Sequence, residues 1–373
     1  MQDGPDRPGD DAPPPGTLAL LRRRPAQALG IGVILAAAIG AFGYVAGAFT
    51  PDRLGPDRVT DAIEGTGGGP HPGFRRAHAK GICIAGHFTG SPAGRTLSRA
   101  AVFRGGPVPV TGRFAEGTPD PYAKDPELGV RSMALRLMPP GAGEWRMAIN
   151  DTPGLAVSTP EDFYANAVAS ARVPATGKPD PAKVAAFLAT HPQAAAFMAR
   201  MKAKPLASGF ANDSYNSING FLFVAPDGTR RLVRWSMQAV DPFVTLDPAT
   251  RKRRSANYMF EDLLVRVGQG PVRWRLVATV AQPGDPNRAA ELWPADRKQV
   301  DMGELTINRV TSEAAGNCRD INYDPLILPD GIAASDDPIP FARSAVYAVS
   351  FRRRTGETTL PSAVHDQSAG VRP

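Results

Sequence analysis

The stretch FRRAHAKGICIAGHF, residues 74–88, sets a histidine, His78, between a basic run and an alternating, strand-like segment. His78 could have one of three roles at this junction: a structural histidine satisfied by hydrogen bonds, a metal or haem ligand, or an acid/base catalyst. Taken alone, a strand histidine is more often structural than catalytic. The choice among the three therefore depends on the rest of the chain.

A second pattern, ARSAVYAVSFRRR, has Arg343 four residues before Tyr347 and Arg354 seven residues after it. Tyrosine ligates ferric iron as a phenolate, but a free pKa of about 10 leaves it protonated at pH 7. Lowering that pKa by three units requires roughly 4 kcal/mol, which iron and a nearby guanidinium can supply. On a helix, positions four apart share a face, so Arg343 can reach the phenolic oxygen. In isolation the pattern is more typical of a buried element with a core tyrosine.

Strand-like and helical segments must position these residues. Four strands are predicted in the first half of the chain, at residues 75–90, 100–114, 129–137 and 144–149. A short helix from Pro56 to Gly65 precedes them. Residues 160–204 have a helical pattern, which His191-Pro192 divides, because proline fits the first turn of a helix but not its interior.

Strands return after the helical insert. Pro226-Asp227-Gly228 joins two alternating runs in a hairpin, residues 263–282 suggest a second hairpin around 268–270, and residues 298–311 suggest a further strand. About eight strands, mostly linked by hairpins, favour an antiparallel barrel or sandwich over a doubly wound sheet.

Four motifs in order along the chain resemble those of the haem catalases. RRAHAKG is similar to the distal-histidine motif, with Arg75 and His78, and VTGRF to the Arg-Phe pair, with Arg113 at a haem propionate. NDTP resembles the Asn-Asn-Thr-Pro motif, with Asn150 as the distal asparagine, and ARSAVYAVSFRRR keeps the spacing of the proximal motif. The matches cover nearly all of the chain beyond its N-terminal segment.

The resemblance implies an α+β fold: an eight-stranded antiparallel β-barrel of catalase type with inserted and flanking helices. The uncharged apolar run at residues 28–49 adds one predicted transmembrane helix before the barrel. It implies haem b as the cofactor, Tyr347 as the axial iron ligand, His78 as the acid/base catalyst and Asn150 as a hydrogen-bond donor to bound peroxide. The residues expected to bind the cofactor are Arg75, Arg113, Phe163, Arg343 and Arg354. Guanidinium groups suit propionates because they form two parallel hydrogen bonds with a carboxylate, although solvated surface charge is the alternative.

The sequence departs from the catalase pattern in several places. Ala115 stands where catalases carry a serine that supports the distal histidine, so we expect that hydrogen bond to be missing. Gly154, Leu155 and Ala156 replace bulky aromatic residues, which predicts a roomier pocket, and the chain stops soon after Tyr347. These departures resemble the small catalase-related peroxidases of bacteria.

The expected activity is reduction of hydrogen peroxide or organic hydroperoxides with a small organic reductant, and weak dismutation at most. A relative that rearranges fatty acid hydroperoxides, of the allene oxide synthase type, is an alternative. A non-catalytic barrel that binds haem or another apolar ligand is the second alternative.

The N-terminal region contains a segment with the features of a membrane anchor. Residues 28–49 are uncharged, and as a helix of about 33 Å they would span a bilayer. LRRRP precedes the segment, so the positive-inside rule predicts a bacterial inner-membrane protein whose catalytic domain lies on the periplasmic side. A cleaved signal peptide is the alternative. The expected organisation is a disordered terminus, anchor, linker, haem barrel and disordered tail, at residues 1–27, 28–49, 50–74, 75–359 and 360–373.

Composition narrows the remaining classes of function. The net charge of +7 in 373 residues suits an anionic cofactor or an acidic surface, but the arginines are scattered, so nucleic acid is not expected as a partner. Cys83 and Cys318 are far apart and lack zinc-site spacing. A disulfide between them is possible, and Cys83 by itself is interpreted as a small buried apolar residue. The oligomeric state is left open.

Overall fold

The structure is a computed structural model that describes residues 25–45, 53–127, 129–313 and 318–364. Most of the expected disordered terminus therefore lies outside the described residues, as do the end of the expected anchor, 46–49, the first residues of the expected linker, 50–52, and the tail from residue 365. Residues 25–27 are helical, which corrects their assignment to the terminus, because Pro25 suits a first helical turn.

The described residues divide into two compact units, one up to Leu54 and the other from Gly55 onward. The first contains helix α1, Pro25–Val45. Its stretch Pro25–Tyr44 is long and apolar enough to cross a membrane, and a signal sequence near an N-terminus has the same properties. Both alternatives for this segment therefore stand.

The second unit is built on antiparallel strands. In the described residues these are β1 (Gly81–Gly90), β2 (Pro107–Glu116), β3 (Arg131–Leu137), β4 (Trp145–Asn150), β5 (Arg172–Val173), β6 (Lys178–Pro179), β7 (Tyr215–Asn216), β8 (Phe221–Val224), β9 (Arg230–Ala239), β10 (Val272–Val280), β11 (Gln299–Ser312) and β12 (Ile332–Ala334). Eight strands close into a ring in the order β10, β11, β1, β2, β3, β4, β7 and β9, because β9 pairs back onto β10. The predicted eight-stranded antiparallel barrel is confirmed.

Alternation along the strands sorts the barrel wall into two faces. One row of paired residues across β1 to β4 lies in the main hydrophobic core and consists of Ile82, Phe114, Met133 and Ile149. The adjacent row, one residue along each strand, consists of Gly81, Ala115, Ser132 and Asn150. Successive side chains point to opposite faces of a sheet, so this second row faces away from the core.

Helices cover parts of the barrel. In the described residues they are α2 (Pro56–Thr66), α3 (Pro92–Leu97), α4 (Pro160–Ala169), α5 (Pro181–Thr190), α6 (Pro192–Ala203), α7 (Pro248–Lys252), α8 (Tyr258–Gln269) and α9 (Pro338–Thr355). All except α8 begin at proline, whose fixed φ and missing N–H suit the first turn. The predicted break at His191-Pro192 is confirmed, and α2, α4 and α9 contact one another.

Three predictions about strands are wrong, the first of them at residues 100–106, which contain a 3₁₀ turn at Ala101–Phe103 before β2 begins. Residues 263–269, predicted as the first arm of a hairpin, belong to α8 instead. The buried residues of that helix are apolar: Tyr258, Met259, Phe260 and Leu263. In its last turn apolar and polar residues alternate, so the sequence there resembles a strand and hides the 3.6-residue helical spacing. The first strand begins at Gly81 rather than Arg75, which leaves His78 in the preceding loop.

Cys83 of β1 and Cys318 beyond β11 form a disulfide, with their Cα atoms 5.4 Å apart. Cys83 is buried, as expected, but it is a bonded half-cystine and not a lone apolar residue. The bond closes a loop of 235 residues and ties the start of the barrel to the segment that leads toward α9.

We expect a Cys83→Ala/Cys318→Ala double variant to lose about 2–5 kcal/mol of unfolding free energy, because a long loop is no longer closed in the unfolded chain. Urea unfolding monitored by circular dichroism measures this loss. Reductant should destabilise the wild type by a similar amount and leave the double variant, which serves as the control, unchanged. Equal stability of oxidised and reduced wild type would contradict the bond.

Candidate active site

His78 lies in the loop before β1, and buried ion pairs fix the loop on both sides. Arg76 pairs with Glu64 of α2 at 2.6 Å, and Lys80 pairs with Asp125 at 2.5 Å. His78 itself has a φ of +54°, a left-handed conformation that is uncommon for a residue other than glycine. Such a backbone persists only where its surroundings hold it, and here the neighbouring residues do so.

A hydrogen bond orients the imidazole of His78. Its Nδ1 lies 2.8 Å from the Oγ of Ser132, which is paired across the strands with Ala115. The expectation that Ala115 leaves His78 unsupported is therefore wrong, because the hydroxyl comes from the adjacent strand. Ser132 also donates to Asn150 Oδ1 at 2.6 Å.

The imidazole is neutral over the physiological range. Burial, followed by repulsion from Arg113 and Arg343, lowers the pKa of His78 to about 3. A neutral imidazole bound through one nitrogen keeps a lone pair or a proton on the other, which is the state that proton transfer requires.

Tyr347 lies on α9, with Arg343 one turn before it. The Arg343 Nη2 is 3.5 Å from the Tyr347 hydroxyl, as their spacing predicts. Arg343 also donates to Asn219 Oδ1 at 2.8 Å and to the carbonyl of Ala148 at 2.7 Å. Asn219 in turn donates to Asp337, the N-cap of α9. Contacts with the barrel and with the start of α9 therefore hold the guanidinium of Arg343 beside the phenol of Tyr347.

Arg75 and Arg354 form a pair of buried guanidinium groups without a carboxylate partner. Both donate to the carbonyls of Arg319 and Ile321, at 2.8–3.0 Å from Arg75 and 3.2–3.4 Å from Arg354. Neither forms an ion pair within the described residues, and the Nε of each has no hydrogen-bond partner there. Burial lowers the pKa of both guanidinium groups, and repulsion between neighbouring arginines lowers it further.

Arg113 is the third arginine of the cluster, and it is already paired. Its guanidinium binds the carboxylate of Glu313 and donates to the carbonyl of Ala79 at 3.0 Å. Burial alone would raise the pKa of Glu313, but the charge and hydrogen bonds of Arg113 hold it below its ordinary value. Gly81 permits this packing, because a Cβ at that position would collide with the guanidinium.

Two adjoining cavities meet at these side chains. The first, about 650 Å³, has the cluster of Arg75, Arg113 and Arg354 on its wall, and the second, about 760 Å³, is largely apolar. Both are lined by His78 and Tyr347. All eight predicted site residues line one or both cavities: Arg75, His78, Arg113, Asn150, Phe163, Arg343, Tyr347 and Arg354.

Sequence reasoning missed three residues that matter at the site, namely Ser132, Glu313 and Lys80. Lys80 is part of the RRAHAKG motif, so a signal for it was available. The contacts of Ser132 and Glu313 join positions 54 and 200 residues apart, respectively. Only knowledge of the strand register could have found them.

The residues fit haem. Arg113 and Glu313 neutralise each other, which leaves the positive charges of Arg75 and Arg354 to match the two carboxylates of the porphyrin. The apolar second cavity suits the porphyrin's hydrocarbon edge, and the phenol of Tyr347 is a donor that ferric iron accepts.

The fold and the site together define a class of protein, an antiparallel barrel that carries a buried pocket for a planar, anionic cofactor. The family model for catalases matches residues 73–363, and the chain belongs to the catalase family. Membership of that family implies haem as the cofactor, in agreement with the donor set of the cavities.

Similar proteins sharpen this assignment. The chain is 36% identical to a catalase-related peroxidase of Synechococcus elongatus, over 87% of the chain and 96% of that protein. It is 30% identical to a catalase-related peroxidase of Mycolicibacterium paratuberculosis, over 81% and 96% respectively. The chain is therefore an oxidoreductase that acts on peroxide.

Solved structures share the fold at lower identity. A bacterial catalase superposes with a TM-score of 0.68 at 19% identity, and a fungal catalase with a TM-score of 0.69 at 18%. The alignments cover 75% and 76% of this chain but only 57% and 59% of those catalases. The fold is thus shared over about three quarters of this chain, which spans less than two thirds of the length of those catalases.

Acidification should destabilise the wild type more than a His78→Gln variant. The unfolded chain binds a proton at His78 below about pH 6.5, whereas the folded protein does not until about pH 3. The wild type should therefore lose about 1.4 kcal/mol relative to the variant between pH 7.5 and pH 5.5. Urea unfolding at both pH values measures the difference, and parallel losses in the two proteins would contradict the buried neutral histidine.

The arginine cluster should recognise the carboxylates of a porphyrin. Iron-free protoporphyrin should bind at least about tenfold more tightly than its dimethyl ester, because each charge-assisted hydrogen bond contributes roughly 1.5–3 kcal/mol. Fluorescence titration measures both affinities. An Arg75→Gln/Arg354→Gln variant should lose the preference, and the control Arg99→Gln, at an exposed surface ion pair, should keep it. Equal affinity of diacid and ester in the wild type would contradict the assigned role.

Proposed function

We propose that this chain is a haem-dependent peroxidase that reduces hydrogen peroxide or organic hydroperoxides, takes its electrons from an organic donor and has weak catalase activity at most. The observation that carries the proposal is that His78 and Tyr347 line the same two cavities beside buried arginines that lack carboxylate partners. The names of the two relatives that this chain matches along 96% of their length support the peroxidase activity.

The side chains have separate roles in this proposal. Haem b, when bound, would supply the iron at which a peroxide O–O bond is broken. Tyr347 would hold the iron through its phenolic oxygen, and Arg343 places a guanidinium nitrogen 3.5 Å from that oxygen. Arg75, Arg113 and Arg354 line the end of the pocket that would receive the carboxylates of the porphyrin. Phe163 lines the apolar end.

His78 and Asn150 act on the peroxide. The neutral imidazole accepts a proton from one peroxide oxygen and returns it to the other, so that water or alcohol leaves. Asn150 orients the peroxide through its amide. General acid/base catalysis of this kind contributes about 10²–10⁴-fold to a rate.

The apolar wall of the second cavity favours binding of an organic hydroperoxide or an organic donor over binding of small polar molecules alone. Apolar side chains make up most of its wall, including Leu155, Ile218 and Ile339. The same cavity supports a second candidate, rearrangement of a fatty acid hydroperoxide. Analysis of the product from a lipid hydroperoxide separates them, because reduction gives an alcohol and rearrangement gives an epoxide or ketone.

We place the catalytic domain on the periplasmic side of a bacterial inner membrane. The disulfide between Cys83 and Cys318 supports an oxidising compartment, since such bonds are rare in the cytosol. Helix α1 supports either a retained anchor or a cleaved signal sequence. Immunoblotting of membrane and soluble periplasmic fractions with an antibody to the barrel distinguishes the two.

Two variants test the proposed function. Tyr347→Phe should abolish or drastically change the haem absorption spectrum, because the variant lacks the phenolate. His78→Ala should retain haem but lose about 10²–10⁴-fold in kcat/KM for peroxide with a phenolic donor.

Matched controls are Tyr122→Phe, at an exposed tyrosine, and His87→Ala, on β1 and absent from the walls of both cavities. Both should resemble the wild type. A wild-type protein without a haem spectrum, or a His78→Ala variant with full peroxide turnover, would instead support a non-catalytic barrel that binds another apolar ligand.

A further inference from the structure

Ser132 is the central member of a row of three residues on the barrel wall. It is paired with Ala115 of β2 on one side and with Asn150 of β4 on the other. Neighbouring strands are about 4.8 Å apart, so a side chain at 132 reaches residues on both flanking strands. A side chain at 115 is two strands, about 9.6 Å, away from residue 150 and does not reach it.

The hydrogen bonds of Ser132 specify which atoms carry protons. A serine hydroxyl has one hydrogen, and Ser132 donates it to Asn150 Oδ1 at 2.6 Å. The 2.8 Å contact with His78 must then be donated by the imidazole, from Nδ1–H to Ser132 Oγ. The protonated nitrogen is thus Nδ1, and the lone pair is on Nε2.

The same contact fixes the amide of Asn150. Its carbonyl oxygen accepts from Ser132, so its NH₂ group is the end left to contact a ligand in the cavity. One hydroxyl therefore sets a proton acceptor on His78 and a hydrogen-bond donor on Asn150, which is the complementary pair that a hydroperoxide requires.

We propose that Ser132 is the positioning residue of this site and that it replaces, from the adjacent strand, the support absent at Ala115, while also coupling His78 to Asn150. This inference rests on the proposed function, in which His78 accepts the proton of a peroxide. Ser132 itself touches no substrate in that reaction and acts through its two neighbours.

The experiment compares the full-length wild type with Ser132→Ala and with Ser132→Ala/Ala115→Ser, which returns a hydroxyl to the other strand. A Ser236→Ala variant on β9 is the control, because its serine lines neither of the two cavities. Steady-state kinetics with hydrogen peroxide give kcat/KM across pH, and thermal unfolding reports stability. The chain has only five histidines, so ¹⁵N-histidine NMR of protein loaded with iron-free protoporphyrin resolves the tautomer, with His78→Gln for assignment.

We expect Ser132→Ala to lower kcat/KM about tenfold, as removal of a hydrogen bond that orients a catalytic group typically does. Its His78 should lose the pure Nδ1–H form that we expect in the wild type. The double variant should recover that form and part of the activity, because a hydroxyl at 115 can support His78 but not Asn150. Ser236→Ala should match the wild type throughout.

An unchanged tautomer and unchanged kcat/KM in Ser132→Ala, with peroxidase activity present in the wild type and lost in His78→Ala, would overturn the inference and leave the proposed function intact. An Nε2–H tautomer in the wild type would also overturn it, as would a loss of stability alone. If the His78 tautomer differs between the wild type and Ser132→Ala but the wild type has no peroxidase activity, the proposed function is contradicted and the positioning role of Ser132 stands.

Discussion

The constraint on which the structure depends is the burial of two guanidinium groups without carboxylates to balance them. A buried charge is costly unless it is paired, and the carbonyls that receive Arg75 and Arg354 satisfy their hydrogen bonds without cancelling their charge. Arg113 does not add to the imbalance, because Glu313 compensates it. A dianionic ligand would resolve the problem, so the charge of the pocket by itself favours such a ligand, independently of any metal chemistry.

The barrel wall also separates this charged pocket from the apolar core. Strand alternation does so with a single residue step, since Met133 faces the core and Ser132 faces the pocket. A slip of one residue in the register would exchange the two faces. Buried ion pairs fix the His78 loop and an N-cap aspartate begins α9, so two elements that line the pocket are each held by specific contacts.

Much of the fold and the site could be predicted because the informative signals are local. The hairpin at 226–228, the break at His191-Pro192 and the spacing of Arg343 and Tyr347 each depend on neighbouring residues. The helix at 263–269 was missed, because four residues of alternation resemble a strand when the apolar face lies mainly in the preceding turns. The roles of Ser132 and Glu313 depend on which strands lie side by side, and no local pattern encodes that.

The segment that begins at Cys318 presents the carbonyls that hold Arg75 and Arg354, and its first residue is covalently attached to β1. This attachment makes the position of those carbonyls depend on the redox state of two sulfur atoms. Reduction of the bond would release the segment from β1 and leave the two guanidinium groups less firmly placed.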